Sequence, residues 1–187
     1  MGSLSYTVAM SLDGYIADAD GDFDWAAPSQ ELFRWHIDRL ASASTEIIGR
    51  NTFLLMKYWE QEPDDESWGP DERQFAELWQ GFHHTVVSST LTAADVTSPN
   101  TDLVSELSLA DLRRIVDEAT GEVEIFGPTT AAEAIKAGMV RDFRFLIYPK
   151  IVGGGLRAMP PGADLDLEFA GQRTFDNGIV LMHYWAT

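Results

Sequence analysis

Three turns in the sequence combine glycine, hydroxyl and cationic residues that can bind phosphate, and each turn follows a short apolar run. They are Gly49-Arg50-Asn51-Thr52, Ser88-Ser89 and Gly127-Pro128-Thr129-Thr130. Glycine lets a phosphate approach the backbone, a helix N-terminus offers free N–H groups, and arginine adds a forked positive charge. Each turn alone also fits an ordinary cap or tight turn. Their recurrence after successive strands indicates a nucleotide site at the carboxyl edge of a sheet.

Other common kinds of site are not supported by the residue types. The chain has no cysteine, which excludes disulfides, thiolate metal ligands and cysteine nucleophiles. Its four histidines form no His-x-x-x-His pair, and His83-His84 should point to opposite faces of one strand, so no metal site is expected. The sequence contains neither a G-x-G-x-x-G fingerprint nor a Walker loop.

The charge balance limits the partners of the protein. The 187 residues carry a formal charge of −17, which disfavours nucleic acid and anionic membranes. This acidity fits both a salty cytoplasm and simple solubility. We find no signal peptide and no membrane-spanning apolar run, and we expect a cytoplasmic protein. No linker or repeat divides the sequence, so residues 1–187 are predicted to form a single domain.

Hydrophobic periodicity predicts an α/β fold. Strands and helices alternate through three quarters of the chain, and two strands then follow in succession around Asp176-Asn177-Gly178, a hairpin turn signal. This order predicts a mostly parallel twisted sheet with an antiparallel C-terminal hairpin and flanking helices. The predicted strands are 4–10, 46–48, 85–87, 123–126, 142–148, 165–172 and 179–185.

The helices are predicted from apolar stripes and end signals. Pro28 suits the first turn of a helix that carries Leu32, Phe33, Ile37 and Leu40. Ser108 can cap another helix, with Asp111 three residues later. Further helices are predicted after Gly49, over 71–80, and from Gly127 to Gly138. The acidic segment 60–71 is predicted to be an exposed loop.

Several stretches, in this order, resemble the dihydrofolate reductase superfamily. The similarity is closest to the reductase domain at the C-terminus of the bifunctional riboflavin-biosynthesis enzyme and to its stand-alone relatives. It covers nearly the whole chain, and the S-L-D-G-x-I-A and G-R-x-T motifs are specific in combination. The matching stretches are 9–17, 47–53, 86–89, 125–127, 138–142 and 148–155.

The resemblance implies an NADPH site and a dihydrofolate-reductase-like fold. Gly49, Arg50 and Thr52 would hold phosphates, with Arg50 favouring the 2′-phosphate. Ser88 and Ser89 would lie at the 2′-phosphate side, and Gly127, Pro128, Thr129 and Thr130 would carry the pyrophosphate. Ala9 and Ile16 would flank the nicotinamide, with Gly153 and Gly154 close to it or to the substrate. Pro128 replaces the second glycine of the family's usual pair and removes one backbone donor.

The resemblance also implies a substrate pocket beside the first helix. Trp25-Ala26-Ala27-Pro28 resembles the W-x-x-P of dihydrofolate reductases, and Trp25, Gln30, Phe33 and Ile37 would line the pocket. Gln30 stands where those enzymes carry the carboxylate that pairs with a protonated pterin, which argues against folate. For Phe33 and Ile37, core packing is the stronger alternative.

These expectations combine into a reductase that transfers hydride from NADPH to a pteridine-like or ribosylaminopyrimidine-like molecule. Asp13 is the candidate catalytic side chain, because it ends the first strand beside the expected nicotinamide, although an Asp-Gly turn explains it equally well. Two alternatives remain: a non-catalytic NADPH- or ligand-binding protein, and a structural module without nucleotide affinity. The resemblance further implies a homodimer paired through its sheets.

Overall fold

An eight-stranded sheet organises the protein, and the computed structural model describes residues 2–187. The strands are β1 (Leu4–Ser11), β2 (Tyr15–Ala17), β3 (Ala43–Gly49), β4 (His83–Val87), β5 (Thr101–Val104), β6 (Glu122–Ile125), β7 (Asp142–Tyr148), β8 (Leu156–Arg157), β9 (Leu167–Thr174) and β10 (Val180–Ala186). The helices are α1 (Gln30–Leu40), α2 (Arg50–Met56), α3 (Pro70–Gln80), α4 (Leu109–Glu118) and α5 (Pro128–Lys136), with single 3-10 turns at Asp24–Ala26 and Lys57–Glu60.

The strand order is β5-β4-β3-β6-β1-β7-β10-β9. The first six strands of this order are mutually parallel, whereas β10 is antiparallel to both β7 and β9. The predicted parallel sheet with an antiparallel C-terminal hairpin is therefore confirmed. No helix within residues 2–187 is both long and apolar enough to cross a membrane.

Both faces of the sheet are buried by helices, and the alternation along β1 explains how. Leu4, Tyr6 and Val8 pack into the largest apolar cluster, which includes side chains of α4 and α5. Ala9 faces the other side, against the cluster built around Leu32 of α1. Successive strand residues point to opposite faces, so this one strand serves both cores.

The serine caps decide where two helices begin. The Ser29 hydroxyl accepts the Leu32 N–H at 3.2 Å, so α1 begins at Gln30 and Pro28 precedes the cap. The prediction that Pro28 lies in the first helical turn was wrong, because the serine competes successfully for the free donor. The predicted Ser108 cap is confirmed: its hydroxyl accepts the Asp111 N–H at 3.1 Å.

Three short strands and one buried side chain were not predicted. The edge strand β5 and the pair β2–β8 are each too short for a periodic pattern, and β9 begins at Leu167, two residues later than expected. Trp68 in the acidic segment is buried, and its indole N–H donates to the Tyr58 hydroxyl at 2.9 Å. This segment is therefore anchored to the protein rather than fully exposed as predicted.

A network of charged side chains lies between α1 and the amino-terminal halves of β6 and β7. Arg39 of α1 is paired with the fully buried Glu124 of β6. Arg144 of β7 bridges Glu122 at 2.6 Å and Asp142 at 2.7 Å. Burial lowers the pKa of the Arg39 guanidinium to about 10, which leaves it protonated at neutral pH. Each buried charge therefore depends on its neighbours for compensation.

Replacing Arg39 by methionine is expected to reduce the free energy of unfolding by about 3 kcal/mol, because the buried Glu124 would lose its closest cation and keep only Arg144 at 3.5 Å and the Thr7 hydroxyl at 3.4 Å. Urea unfolding measures the change. Arg34→Met is the matched control: Arg34 lies on the same helix but forms an exposed pair with Asp71, so its loss should cost less than about 1 kcal/mol. Equal losses in the two variants would contradict the role of Arg39.

Candidate functional site

The carboxyl ends of β4, β3 and β6 lie side by side, which brings the three turns that were predicted to bind phosphate to one edge of the sheet. Two of them are in direct contact. A Cβ atom placed on Gly49 would lie 2.6 Å from the Thr130 hydroxyl oxygen, and one on Gly127 would lie 4.0 Å from that of Thr52. The beginnings of α2 and α5 therefore form one small surface of two glycines and two hydroxyls.

The first turns of α2 and α5 keep backbone donors free. No side chain among residues 2–187 caps either helix, and neither first turn contains an acidic residue. By contrast, serines cap α1 and α4. Pro128 removes one donor from α5, and the Ala131 N–H already bonds to the Gly127 carbonyl, which leaves the N–H groups of Thr129 and Thr130. In a chain of charge −17 this edge can attract an anion.

One cation begins α2 at this edge, and a second follows the end of the same helix. Arg50 is exposed, and its guanidinium donates to the Asn51 side-chain oxygen at 3.3 Å. Lys57, which the sequence analysis did not include, donates to the backbone oxygen of Asp95 at 3.0 Å. The pKa of Asp95 is lowered mainly by hydrogen bonds from Thr92, and the charges of Lys57 and Arg50 add to this effect. Lys57 follows Arg50 by seven residues, a helical spacing that could have pointed to it.

The two serines after β4 differ in what they can offer. The Ser88 hydroxyl is buried and accepts the N–H groups of Thr90 at 3.2 Å and Leu91 at 3.1 Å, so it stabilises the following turn. Ser89 is exposed. Of the pair, Ser89 has the hydroxyl that is open to a ligand at this edge.

The expected nicotinamide and substrate residues come together only in part. Ala9 and Trp25 pack against the same apolar cluster, whereas Ile16 packs against the cluster on the opposite face of the sheet. The Trp25 ring meets Tyr148 edge-on at 5.8 Å, and the Tyr148 hydroxyl donates to the Ala26 carbonyl at 2.8 Å. The buried indole nitrogen of Trp25 has no hydrogen-bond partner within residues 2–187. A buried donor without a partner is costly, and a polar atom placed beside it would satisfy it.

Phe33 and Ile37 do not join Trp25. Phe33 stacks on Phe75 of α3 at 5.3 Å and on Trp59 at 5.9 Å, and Ile37 is buried in the same interface between α1 and α3. These contacts support core packing for both residues and not a place in the substrate pocket, because the apolar stripe of α1 faces α3 at these positions. Gln30 is exposed at the start of α1.

Glu31, next to Gln30, forms hydrogen bonds to the end of β9 and the turn after it. Its carboxylate accepts from the Arg173 guanidinium and from the Asp176 N–H, both at 2.8 Å. These two bonds, the Arg173 bond foremost, lower the pKa of Glu31. A carboxylate held in this way is poorly suited to protonating a substrate.

Asp13 connects the loop after β1 with the loop after β7. Its carboxylate accepts from the Ser11 hydroxyl at 2.7 Å and from the N–H groups of Val152 at 3.1 Å and Gly153 at 2.7 Å. The bond from Ser11, followed by those from the two amides, lowers the pKa of Asp13 to about 2. Asp13 is therefore ionised at neutral pH, and its contacts favour a positioning role over proton donation.

Three consecutive glycines, 153–155, come after β7, and the last of them lies against the backbone at the end of β2. Gly153 has φ +83° and donates to Asp13, and a side chain on Gly154 would meet open space. Gly155, which the sequence analysis did not include, has φ +120°, and a Cβ there would lie 2.2 Å from the Ala17 carbonyl oxygen. Only glycine fits at this close approach.

Solved structures with the same architecture define the class of protein. A protein of Shewanella sp. PV-4 assigned to riboflavin biosynthesis matches with a TM-score of 0.74 and 19% identity, over 100% of this chain and 99% of that one. Dihydrofolate reductase from Enterococcus faecalis, in complex with NADP(H), matches with a TM-score of 0.63 and 14% identity, over 100% and 97% of the two chains. The fold is dihydrofolate-reductase-like.

The sequence places the chain within this class. A family model described as the RibD C-terminal domain matches residues 3–181, and the chain belongs to this family. It is also 25% identical to YyaP of Bacillus subtilis (strain 168), whose function is uncharacterised, over 187 residues that span 95% of this chain and 92% of YyaP. Family and fold together indicate a reductase-type function.

Replacing Asp13 by asparagine is expected to speed hydrogen–deuterium exchange at the Gly153 amide more than at the Val152 amide. The asparagine oxygen can keep the bonds from Ser11 and Val152, but its NH₂ group would face the Gly153 N–H. Asp20→Asn, in an exposed turn, is the control and should leave both amides unchanged. Equal exchange in wild type and Asp13→Asn would show that this carboxylate does not hold the loop.

The same contact should depend on pH. The pKa of Asp13 is about 2 in the folded protein against an ordinary value of 3.8, so its ionised form stabilises the folded state above the higher value. This contribution is lost as the pH falls from 3.8 towards 2. The difference in Gly153 protection between wild type and Asp13→Asn should therefore be constant from pH 7 to about 4 and shrink below it.

Proposed function

We propose that the protein is an NADPH-dependent reductase that acts on a pteridine-like or ribosylaminopyrimidine-like molecule. The observation that carries the proposal is the paired, uncapped beginnings of α2 and α5 at the carboxyl edge of the sheet. When bound, NADPH would supply the hydride. The protein's own residues would bind and orient the reactants.

The cofactor end of the site fits a dinucleotide that carries several negative charges. The Gly127 turn and the N–H groups of Thr129 and Thr130 would hold the pyrophosphate, and Gly49 with Thr52 would contact the phosphates from α2. Arg50, supported by Lys57, would favour the 2′-phosphate that distinguishes NADPH from NADH. Ser89 would add a hydroxyl at the same side.

The substrate end of the site fits a flat, polar heterocycle. Ala9 is small enough to let a ring approach β1, and Trp25 with Tyr148 supplies an aromatic wall on the α1 side. The unpartnered indole N–H of Trp25 would donate to a carbonyl or ring nitrogen of the substrate. Gln30 can both donate and accept hydrogen bonds, which suits an uncharged amide-like ring edge better than a protonated pterin.

Proton delivery falls to water in this proposal. Asp13 and Glu31 both have lowered pKa values because hydrogen bonds stabilise their charged forms. Neither would hold a proton at neutral pH for transfer to the substrate. Asp13 would instead hold the Val152–Gly153 loop, and through it Gly154, at the mouth of the site.

The same observation supports one alternative. A protein that binds NADPH or another ligand without turnover would also keep the uncapped helices while lacking a protonated carboxyl group. Pro128, which removes a donor at the pyrophosphate, is consistent with this alternative too. The expected homodimer stays a prediction.

Replacing Arg50 by alanine is expected to weaken NADPH binding by about 1.5–3 kcal/mol, roughly 10- to 150-fold, and NADH binding much less. The reason is the loss of a charge-assisted bond to the 2′-phosphate. Calorimetric titration at moderate salt measures both affinities. Arg113→Ala, which removes a charge from the exposed side of α4, should leave them unchanged. An equal loss for NADPH and NADH would show that Arg50 does not recognise the 2′-phosphate.

Turnover separates the two candidate functions. The protein should bind NADPH, and the melting temperature of the protein should rise when NADPH is present, because the ligand binds only the native state. It should then oxidise NADPH, followed by absorbance, with at least one member of a panel of pterins and ribosylaminopyrimidines. Binding without oxidation across the panel would favour the non-catalytic alternative. The absence of any NADPH affinity would overturn the reductase proposal and would leave only the binding of another ligand, or a structural role without nucleotide affinity.

A further inference from the structure

A buried histidine connects α3 with the sheet, away from the cofactor edge. His84 of β4 is 0% exposed, and its Nε2 atom lies 3.0 Å from the backbone oxygen of Trp79. A carbonyl oxygen can only accept a hydrogen bond, so Nε2 carries a hydrogen. The charge of the ring is then decided by the other nitrogen: the ring is neutral if Nδ1 is bare and an imidazolium ion if Nδ1 also carries a hydrogen.

The surroundings of Nδ1 are negative. This atom lies 3.3 Å from Oε2 of Glu46, the residue that pairs with His84 on β3. The same oxygen accepts the indole N–H of Trp79 at 3.0 Å. Both side chains are at most 2% exposed, and Nδ1 has no aligned hydrogen-bond partner within residues 2–187. A bare Nδ1 would therefore direct its lone pair into a buried, electron-rich contact, which is costly.

The end of α3 adds a second negative partner. Trp79 lies in the last turn of this helix, where the backbone carbonyls form the negative end of the helix dipole. The first turn contains Asp71 and Glu72, whereas the last turn contains no basic residue. A positive charge at this end stabilises a helix, and His84 is placed to supply it.

The neighbouring strand does not supply this charge. Thr101, the partner of His84 on β5, is uncharged. His83 points to the opposite face of the sheet, where it pairs with Asp102 at 3.1 Å. The imidazole of His84 is thus the titratable group that lies between the Glu46 carboxylate and the end of α3.

The arginines behind Glu46 are shared among several carboxylates. Burial lowers the pKa of Arg39, and the Glu46 carboxylate is the foremost charge that opposes this effect. Arg39 is also paired with the buried Glu124, the register partner of Glu46 on β6. Arg144 lies 3.5 Å from Glu124 but also bridges Glu122 and Asp142. A positive charge on His84 therefore reduces an excess of buried negative charge.

We propose that His84 is held as an imidazolium ion, which makes the contact between α3, β3 and β4 sensitive to pH. Nε2 donates to the Trp79 carbonyl, and the protonated Nδ1 forms an ion pair with Glu46. The contact lies three residues before Gly49 and four before Ser88, so it holds the two strands that lead to the cofactor edge. The inference does not rest on the proposed function.

The held proton links stability to pH. A histidine in the unfolded chain loses its proton near about pH 6.5, so above this pH the folded protein holds a proton that the unfolded chain lacks. The stabilisation is complete below about pH 6.5 and is lost as the pH rises until folded His84 releases its proton. Within this interval the unfolding equilibrium constant increases up to about tenfold per pH unit.

NMR of the wild-type protein with ¹⁵N-labelled histidine tests the charge directly at about pH 8, where exposed histidines are neutral. An imidazolium ion has hydrogens on both ring nitrogens, whereas a neutral ring has one bare nitrogen with a well-separated ¹⁵N shift. We expect two protonated nitrogens for His84 and one bare nitrogen for the exposed His83. Loss of signals in His84→Gln, or replacement of the other three histidines in turn if that variant does not fold, assigns the ring. A bare nitrogen on His84 would overturn the proposal.

Urea unfolding between about pH 7 and 9.5 tests the link to stability. Glu46→Gln removes the charge that holds the proton and keeps an acceptor for the Trp79 indole. The stability advantage of the wild type over Glu46→Gln should shrink as the pH rises, by up to about tenfold in the unfolding equilibrium constant per pH unit. Glu77→Gln, the same change at an exposed position of α3, should retain the pH dependence of the wild type. A wild-type advantage over Glu46→Gln that stays constant across this range would show that no proton is held.

Discussion

The proposed cofactor site depends on backbone dipoles concentrated where β3 and β6 end side by side. A body of charge −17 repels a phosphorylated cofactor, and Arg50 at this edge cannot offset that field alone. The first turns of α2 and α5 contribute N–H groups that no side chain caps, and no acidic residue lies among them. A side chain on Gly49 would displace the hydroxyl of Thr130, which lies 2.6 Å from the position of a Cβ atom there.

The remainder of the site depends on loops that are tied together across long stretches of sequence. Asp13 holds Val152 and Gly153, and Gly155 lies against the backbone of β2. The Asp13 carboxylate accepts three hydrogen bonds and so holds the two loops together. These bonds lower its pKa, which makes it a poor proton donor. The same residue cannot serve well in both roles. This conflict explains why proton transfer in the proposed reaction is assigned to water.

Local patterns predicted the fold well where elements are long and periodic. The strands β1, β7 and β10 and the helices after Ser108 and Gly127 were recognisable from alternation, helical stripes and end signals. The short strands β2, β5 and β8 were not, because two to four residues carry no period and their partners are distant in sequence. For Phe33 and Ile37 the helical spacing already favoured core packing over the pocket, and the position of α3 supports the packing.

The sequence by itself determined which residue types follow each strand. Glycine, serine and threonine recur at three strand ends, and one of these ends also carries an arginine. Tertiary structure decided which of them are free to act. Ser88 uses its hydroxyl for its own turn and Asp13 uses its carboxylate for a second loop, whereas the indole N–H of Trp25 has no partner among residues 2–187. Hydrogen-bond partners come from residues far apart along the chain, so composition and spacing can propose a donor or acceptor but cannot say whether it is already satisfied.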